Sequence, residues 1–114
     1  MFSVNSNLKI GHTIEKAYDV YERTPFKMDL VQDVKEYVAI LTDDIDSIVL
    51  TKDTKILTAR GLWVEVEKLQ RGEVLKNMVG NKTVLNIIPL KSPIDMFKVT
   101  GTDYIVVNSF YIDG

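Results

Sequence analysis

The chain contains no cysteine and only one histidine, His12. The first absence removes disulfides, thiolate metal sites and cysteine nucleophiles, and it fits a reducing compartment. The second leaves nothing for a histidine-based metal centre or a mechanism that needs two imidazoles. Charge of one sign is also missing. Fourteen basic residues face sixteen acidic ones, for a net charge of −2, so no basic field draws nucleic acid or an anionic membrane. No apolar run approaches the ~18 residues of a membrane span. The start, Met1-Phe2-Ser3-Val4-Asn5-Ser6-Asn7, lacks the basic and apolar regions of a secretory signal, and Phe2 stands where myristoylation needs glycine. The expected location is the cytoplasm, or an assembly built there such as a virion.

What remains is an ordinary globular composition. The 114 residues are 46% hydrophobic and 26% charged, enough for one domain, 1–114, with a core of its own. Residues 4 to 10 suit a short strand. Ile14, Ala17, Tyr18 and Tyr21 then fall at helical spacing between the N-cap candidate Thr13 and Thr24-Pro25, which predicts one short helix near the N-terminus. Beyond Pro25 the period shortens to two. Residues 31 to 41 read as two strands or one bent strand at a sheet edge. Thr42 to Asp46 reads as an acidic turn, and Ser47-Ile48-Val49-Leu50 as a strand. Further strands are expected at Lys55–Thr58, Trp63–Val66, Val74-Leu75, Thr83–Ile88 (stopped by Pro89 and Pro93), Met96–Thr100, Asp103–Val107 and Phe110–Ile112. Gly61, Gly72, Gly80, Gly101 and Asn108-Ser109 supply the turns. About ten short strands and one helix, with turns every few residues, make a mainly β sandwich or barrel-like domain.

Two segments carry more than a fold class. The first runs Thr51-Lys52-Asp53-Thr54, Ile56-Leu57-Thr58, Gly61-Leu62-Trp63, Val64 and Val66, Leu69, Gly72-Glu73. The second is the tail Ile105-Val106-Val107, Asn108-Ser109, Phe110-Tyr111-Ile112, Asp113-Gly114. Together they resemble the Hint (Hedgehog/intein) domains, with Thr51 and Thr54 at a Thr-x-x-His motif and the tail at a strand, Asn-Gly, strand, His-Asn motif. Met1, the strand after it and Ile14-Glu15 are compatible with the family's N-terminal part. The resemblance implies a Hint-like, pseudo-symmetric β fold.

It also implies a chemistry whose groups are gone. Self-splicing begins with attack by a cysteine or serine side chain on the preceding carbonyl. Met1, a thioether without a proton to lose, holds that position. The oxyanion is stabilised by the Thr/His pair. Thr51 matches, but Thr54 replaces the histidine, and a hydroxyl is no general acid near pH 7. A carboxylate of the late strand falls near Lys98, with reversed charge. Asp113 and Gly114 replace the histidine and asparagine of the final cyclisation.

The sequence therefore predicts no enzyme, with no catalytic, cofactor-binding or metal-ligating residue. Ser3 is expected to be solvated, and His12 to be a turn residue. Asp43, Asp44 and Asp46, which lack the glycine and distal glutamate of a calcium loop, read as a solvated turn. Trp63, Phe97 and Tyr104 are expected to be core or half-buried strand residues. The resemblance reaches from the first residue to the last, so nothing flanking the chain is expected to be released. The expected role is a non-catalytic interaction or assembly module that binds another protein, for instance in a phage particle. Its candidate surfaces are the former cleft around Met1, Thr51, Thr54, Asp113 and Gly114, and the strand at 31–41. The alternative is an autoprocessing splicing domain whose catalytic residues were removed by engineering or trimming. A β-barrel module binding nucleic acid is a third possibility.

Overall fold

β-Branched and aromatic residues at alternating positions, punctuated by glycine and Asn-Ser turns, give a chain that is almost all strand. The computed structural model describes residues 1–3, 27–43, 47–101 and 104–113. The helix expected after Thr13, the strand expected at 4 to 10, His12, Asp44, Asp46 and Gly114 lie outside the described residues.

The described elements are β1 (Phe2–Ser3), β2 (Lys27–Val34), β3 (Tyr37–Thr42), β4 (Ser47–Thr51), β5 (Lys55–Leu57), β6 (Trp63–Glu65), a 3-10 turn at Val66–Lys68, β7 (Val74–Leu75), β8 (Lys82–Leu90), β9 (Ile94–Thr100), β10 (Tyr104–Val107) and β11 (Phe110–Asp113). They form a seven-stranded sheet, β2-β9-β1-β4-β3-β8-β7, and a four-stranded sheet, β10-β11-β5-β6. The strands pair antiparallel throughout.

One core joins the two sheets. Phe2, Ile40, Ile48, Leu50 and Leu75 of the larger sheet pack in the same cluster as Ile56, Ile105, Phe110 and Ile112 of the smaller, together with Val66 of the 3-10 turn. The β10–β11 hairpin turns through Asn108 and Ser109, both left-handed at φ 50° and 67°. Two anchors hold that turn against the body. Asn108 Nδ2 donates to the Ser47 carbonyl at 2.7 Å, and Asn77 Nδ2 donates to the Asn108 carbonyl at 3.3 Å.

Three expectations are corrected. Residues 31 to 41 do not form an edge strand. They divide between β2, which is the edge, and β3, which lies inside the sheet between β4 and β8 and buries Tyr37, Val38 and Ile40. The apolar run Tyr37–Leu41 reflects burial in the sheet interior rather than a docking edge. Pro89 does not stop its strand: it lies within β8 opposite Val38. β7 covers the outer side of β8 only at Lys82 and Thr83, so a proline without an N–H sits where no ladder donor is required. Ser3 is not solvated but 7% exposed, because β1 is an interior strand paired with both β4 and β9.

Candidate functional site

The site follows from how β1 and β4 end. Phe2 pairs with Leu50 of β4, so the residue before it reaches the end of that strand, where the Thr51 N–H donates to the Met1 carbonyl at 3.0 Å. The chain then turns through Lys52 and Asp53. The Thr54 N–H closes the turn on the Thr51 carbonyl at 3.1 Å, and the Thr54 carbonyl accepts from Val66 N–H at 2.8 Å. This turn sets two threonine hydroxyls side by side, 5% and 3% exposed by residue.

Both face Met1. The Met1 ammonium donates to Thr51 Oγ1 at 2.9 Å and to Thr54 Oγ1 at 2.7 Å. The two oxygens are 2.8 Å apart, so one hydroxyl donates to the other. The Met1 carbonyl lies 3.4 Å from Thr51 Oγ1 and 3.3 Å from Thr54 Oγ1 and accepts the remaining hydroxyl proton. Each hydroxyl has one proton to give. The pair has two, and both have acceptors inside the cluster. Among the described residues no buried side-chain nitrogen or oxygen is left unsatisfied.

Burial pulls the Met1 amine below its ordinary value of 8.0 by disfavouring the charged form. The carboxylates of Asp53 and Asp113 oppose that shift, and Lys98 adds to it. These groups share a cavity of about 400 Å³ with a floor that includes Phe2, Phe97, Val99, Ile105 and Ile112. Phe2 and Phe97 stack at the base with centroids 6.0 Å apart. Asp113 is a structural tie as well as a rim charge, since its Oδ1 accepts from the Lys55 N–H at 2.9 Å and binds the end of β11 to β5.

The residues singled out in the sequence therefore converge: Met1, Thr54, Lys98 and Asp113 line one cavity, and Thr51 is hydrogen-bonded to two of them, Met1 and Thr54. Asp53, Val99 and Thr100 also line it and were not anticipated. Asp53 could have been found from its place between the two threonines. Val99 and Thr100 depend on the register of β9, which no local pattern encodes. Of the aromatic residues, Phe97 and Tyr104 are half-buried, while Trp63 is 40% exposed rather than core and leans on Tyr104 at 6.0 Å from the opposite edge of the smaller sheet. Asp43, exposed just past the end of β3, accepts from Thr83 N–H at 3.0 Å through its carboxylate. Among the described residues no three His, Cys, Asp or Glu side chains group as a metal site, and no helix is long and apolar enough to cross a membrane.

No protein-family model matches the sequence, and no curated protein matches it. Solved structures do. The bacterial intein-like domain from Clostridium thermocellum superposes with a TM-score of 0.64 at 19% identity, over 77% of this chain and 67% of that one. The DnaB intein from Synechocystis gives 0.63 at 16% identity, over 77% of this chain and 64% of that one. The gp41-1 intein gives 0.60 at 17% identity, over 79% and 70%. The fold is the Hint, intein-like fold, and the chain spans about two thirds of the length of these structures.

Proposed function

From an intein-like fold whose cleft hydroxyls are committed to its own first residue, we propose a non-catalytic domain that serves as a protein-interaction or assembly module. The supporting observation is the closed Met1–Thr51–Thr54 cluster. Splicing chemistry needs a nucleophile at residue 1 and donors aimed at a developing oxyanion. Here residue 1 carries a thioether, and the two hydroxyl protons already have acceptors at the Met1 carbonyl and at each other. No imidazole stands at Thr54, and Asp113 bonds a backbone N–H where an assisting base would act. A site that loses its reactive groups together loses its rate by many orders of magnitude.

A compact β domain without its chemistry acts by binding. The partner we envisage is another protein, within a larger assembly such as a phage particle, with neither nucleic acid nor membrane involved. The rival reading is an autoprocessing domain trimmed or engineered to inactivity. Its residues would regain cleavage when Met1→Cys and Thr54→His are introduced together. The test fuses a reporter protein to each end of the unmodified chain and weighs the products after prolonged incubation. The fusion is expected intact. A spliced or cleaved product that disappears in Thr51→Ala would overturn the non-catalytic reading.

A further inference from the structure

β8 shows solvent an apolar, uncharged run. Leu85 and Leu90 are 55% and 38% exposed, Pro89 is exposed, and Ile87 and Ile88 are half-buried. Such a run at a sheet edge is a template for another strand. Its main-chain donors are nevertheless closed to one. On the outer side the Val84 carbonyl accepts from Gly72 N–H, and Val84 N–H donates to the Glu73 carbonyl, both at 2.8 Å. The Ile87 N–H is taken by the side chain of Asn86, whose Oδ1 accepts it at 2.9 Å. The same oxygen accepts from Arg71 Nη2 at 3.2 Å, which fixes the amide in place. Alternate residues of a strand turn their main chain to the same side, so Pro89 faces outward with Ile87, and it has no N–H.

We propose that the β8 edge is a self-association surface held shut, and that Asn86, Arg71 and Pro89 are the groups that hold it. The partner it fits is a second copy of this chain. A two-fold axis at Ile88 would pair the two β8 strands antiparallel and set Ile87 of each copy opposite Pro89 of the other. Apolar side chains would then meet across the axis. The pairing draws its hydrogen bonds from the outward N–H groups at positions 87 and 89. The first is committed to Asn86 and the second does not exist, so carbonyls would face carbonyls with no donor between them. Burying unpaired carbonyls costs more than the apolar contact returns. Arg71 also sets a charge beside the edge, a second device that discourages pairing.

The test introduces Asn86→Val and Pro89→Val together in the full chain. The two changes free the donor at 87, create one at 89, and suit a strand. Sedimentation velocity from about 10 μM to about 1 mM follows association, and amide hydrogen exchange follows positions 87 and 89. In the double variant, exchange at both positions is expected to slow about tenfold as the dimer fills. Each single variant is expected to associate about tenfold more weakly than the double. A double variant that stays monomeric throughout overturns the proposal. So does association that leaves positions 87 and 89 unprotected, or a parent chain whose Ile87 amide already slows with concentration. Where the double variant fails to fold, Pro89→Val alone decides. Protection of the new amide at position 89 that grows with concentration supports the guard, and none up to about 1 mM overturns it.

Discussion

Phe110 and Met1 lie against the same two sheets in opposite kinds of surroundings. Phe110 is fully buried, and its neighbours Ile56, Leu75, Val107 and Ile112 are apolar and almost without exposure. Met1 is half-buried, and its nearest partners are two hydroxyls and a main-chain N–H. Around Phe110 the fold constrains volume, because close packing registers the loss of one methylene. Around Met1 it constrains only that donors meet acceptors. Different polar side chains can serve there at small cost to the fold, provided each finds its partners, and the Thr54 hydroxyl finds three, the Met1 nitrogen, the Met1 carbonyl and Thr51 Oγ1. This difference explains how a frame of this kind can keep its packing while the polar groups of its cleft vary.

The largest effect should come from the packed side. Phe110→Ala is expected to cost about 3–5 kcal/mol in a denaturant titration, through lost burial and the cavity left behind. A cost near zero would mean that the two sheets do not share one core. Next comes the polar side. Thr54→Val keeps the shape and removes the shorter of the two bonds to the ammonium, at an expected cost of about 1–3 kcal/mol. Thr51→Val should act on the same cluster, so the double variant is expected to lose less than the sum of the two. Strict additivity would break the account of one closed network.

A smaller effect lies in pH. The unfolded amine holds its proton up to about pH 8, while burial makes the folded one release it earlier. Between the folded value and 8.0 the unfolded chain binds more protons, so stability rises with pH across that window and levels off above it. Acetylating Met1 should flatten this part of the profile, and an unchanged slope would show that the amine is not its source. The smallest effect belongs to the β10–β11 turn. Ser109→Gly relieves a left-handed serine but also removes a buried hydroxyl, so the two effects oppose and the net change is expected to stay within about 1 kcal/mol in thermal unfolding.

Much of the frame was legible in the sequence because it rests on local pattern. Alternation marked β6, the β-branched run Ser47–Leu50 marked β4, Asn108-Ser109 marked the turn before β11, and the resemblance marked Thr51 and Thr54 as a motif. Long-range order was less legible. Nothing in Tyr37–Leu41 tells an interior strand from an apolar edge, since both read as one hydrophobic run. Pro89 reads as a stop unless the open outer side of β8 is known. Ser3 reads as solvated unless the neighbours of β1 are known. The cleft's membership was visible through Met1, Thr51, Thr54, Lys98 and Asp113, but not the direction of its hydrogen bonds. Those depend on how the β1–β4 register sets the Met1 nitrogen and carbonyl against the two hydroxyls.

The most direct measurement of the central claim is a thiol-trapping time course on a chain carrying a reporter ahead of Met1. An acyl shift at residue 1 would leave an ester-type linkage that an added thiol cleaves. Intact-mass spectrometry is expected to show one species, unchanged with thiol at neutral pH. A thiol-dependent product broken at the bond before Met1 would contradict the account.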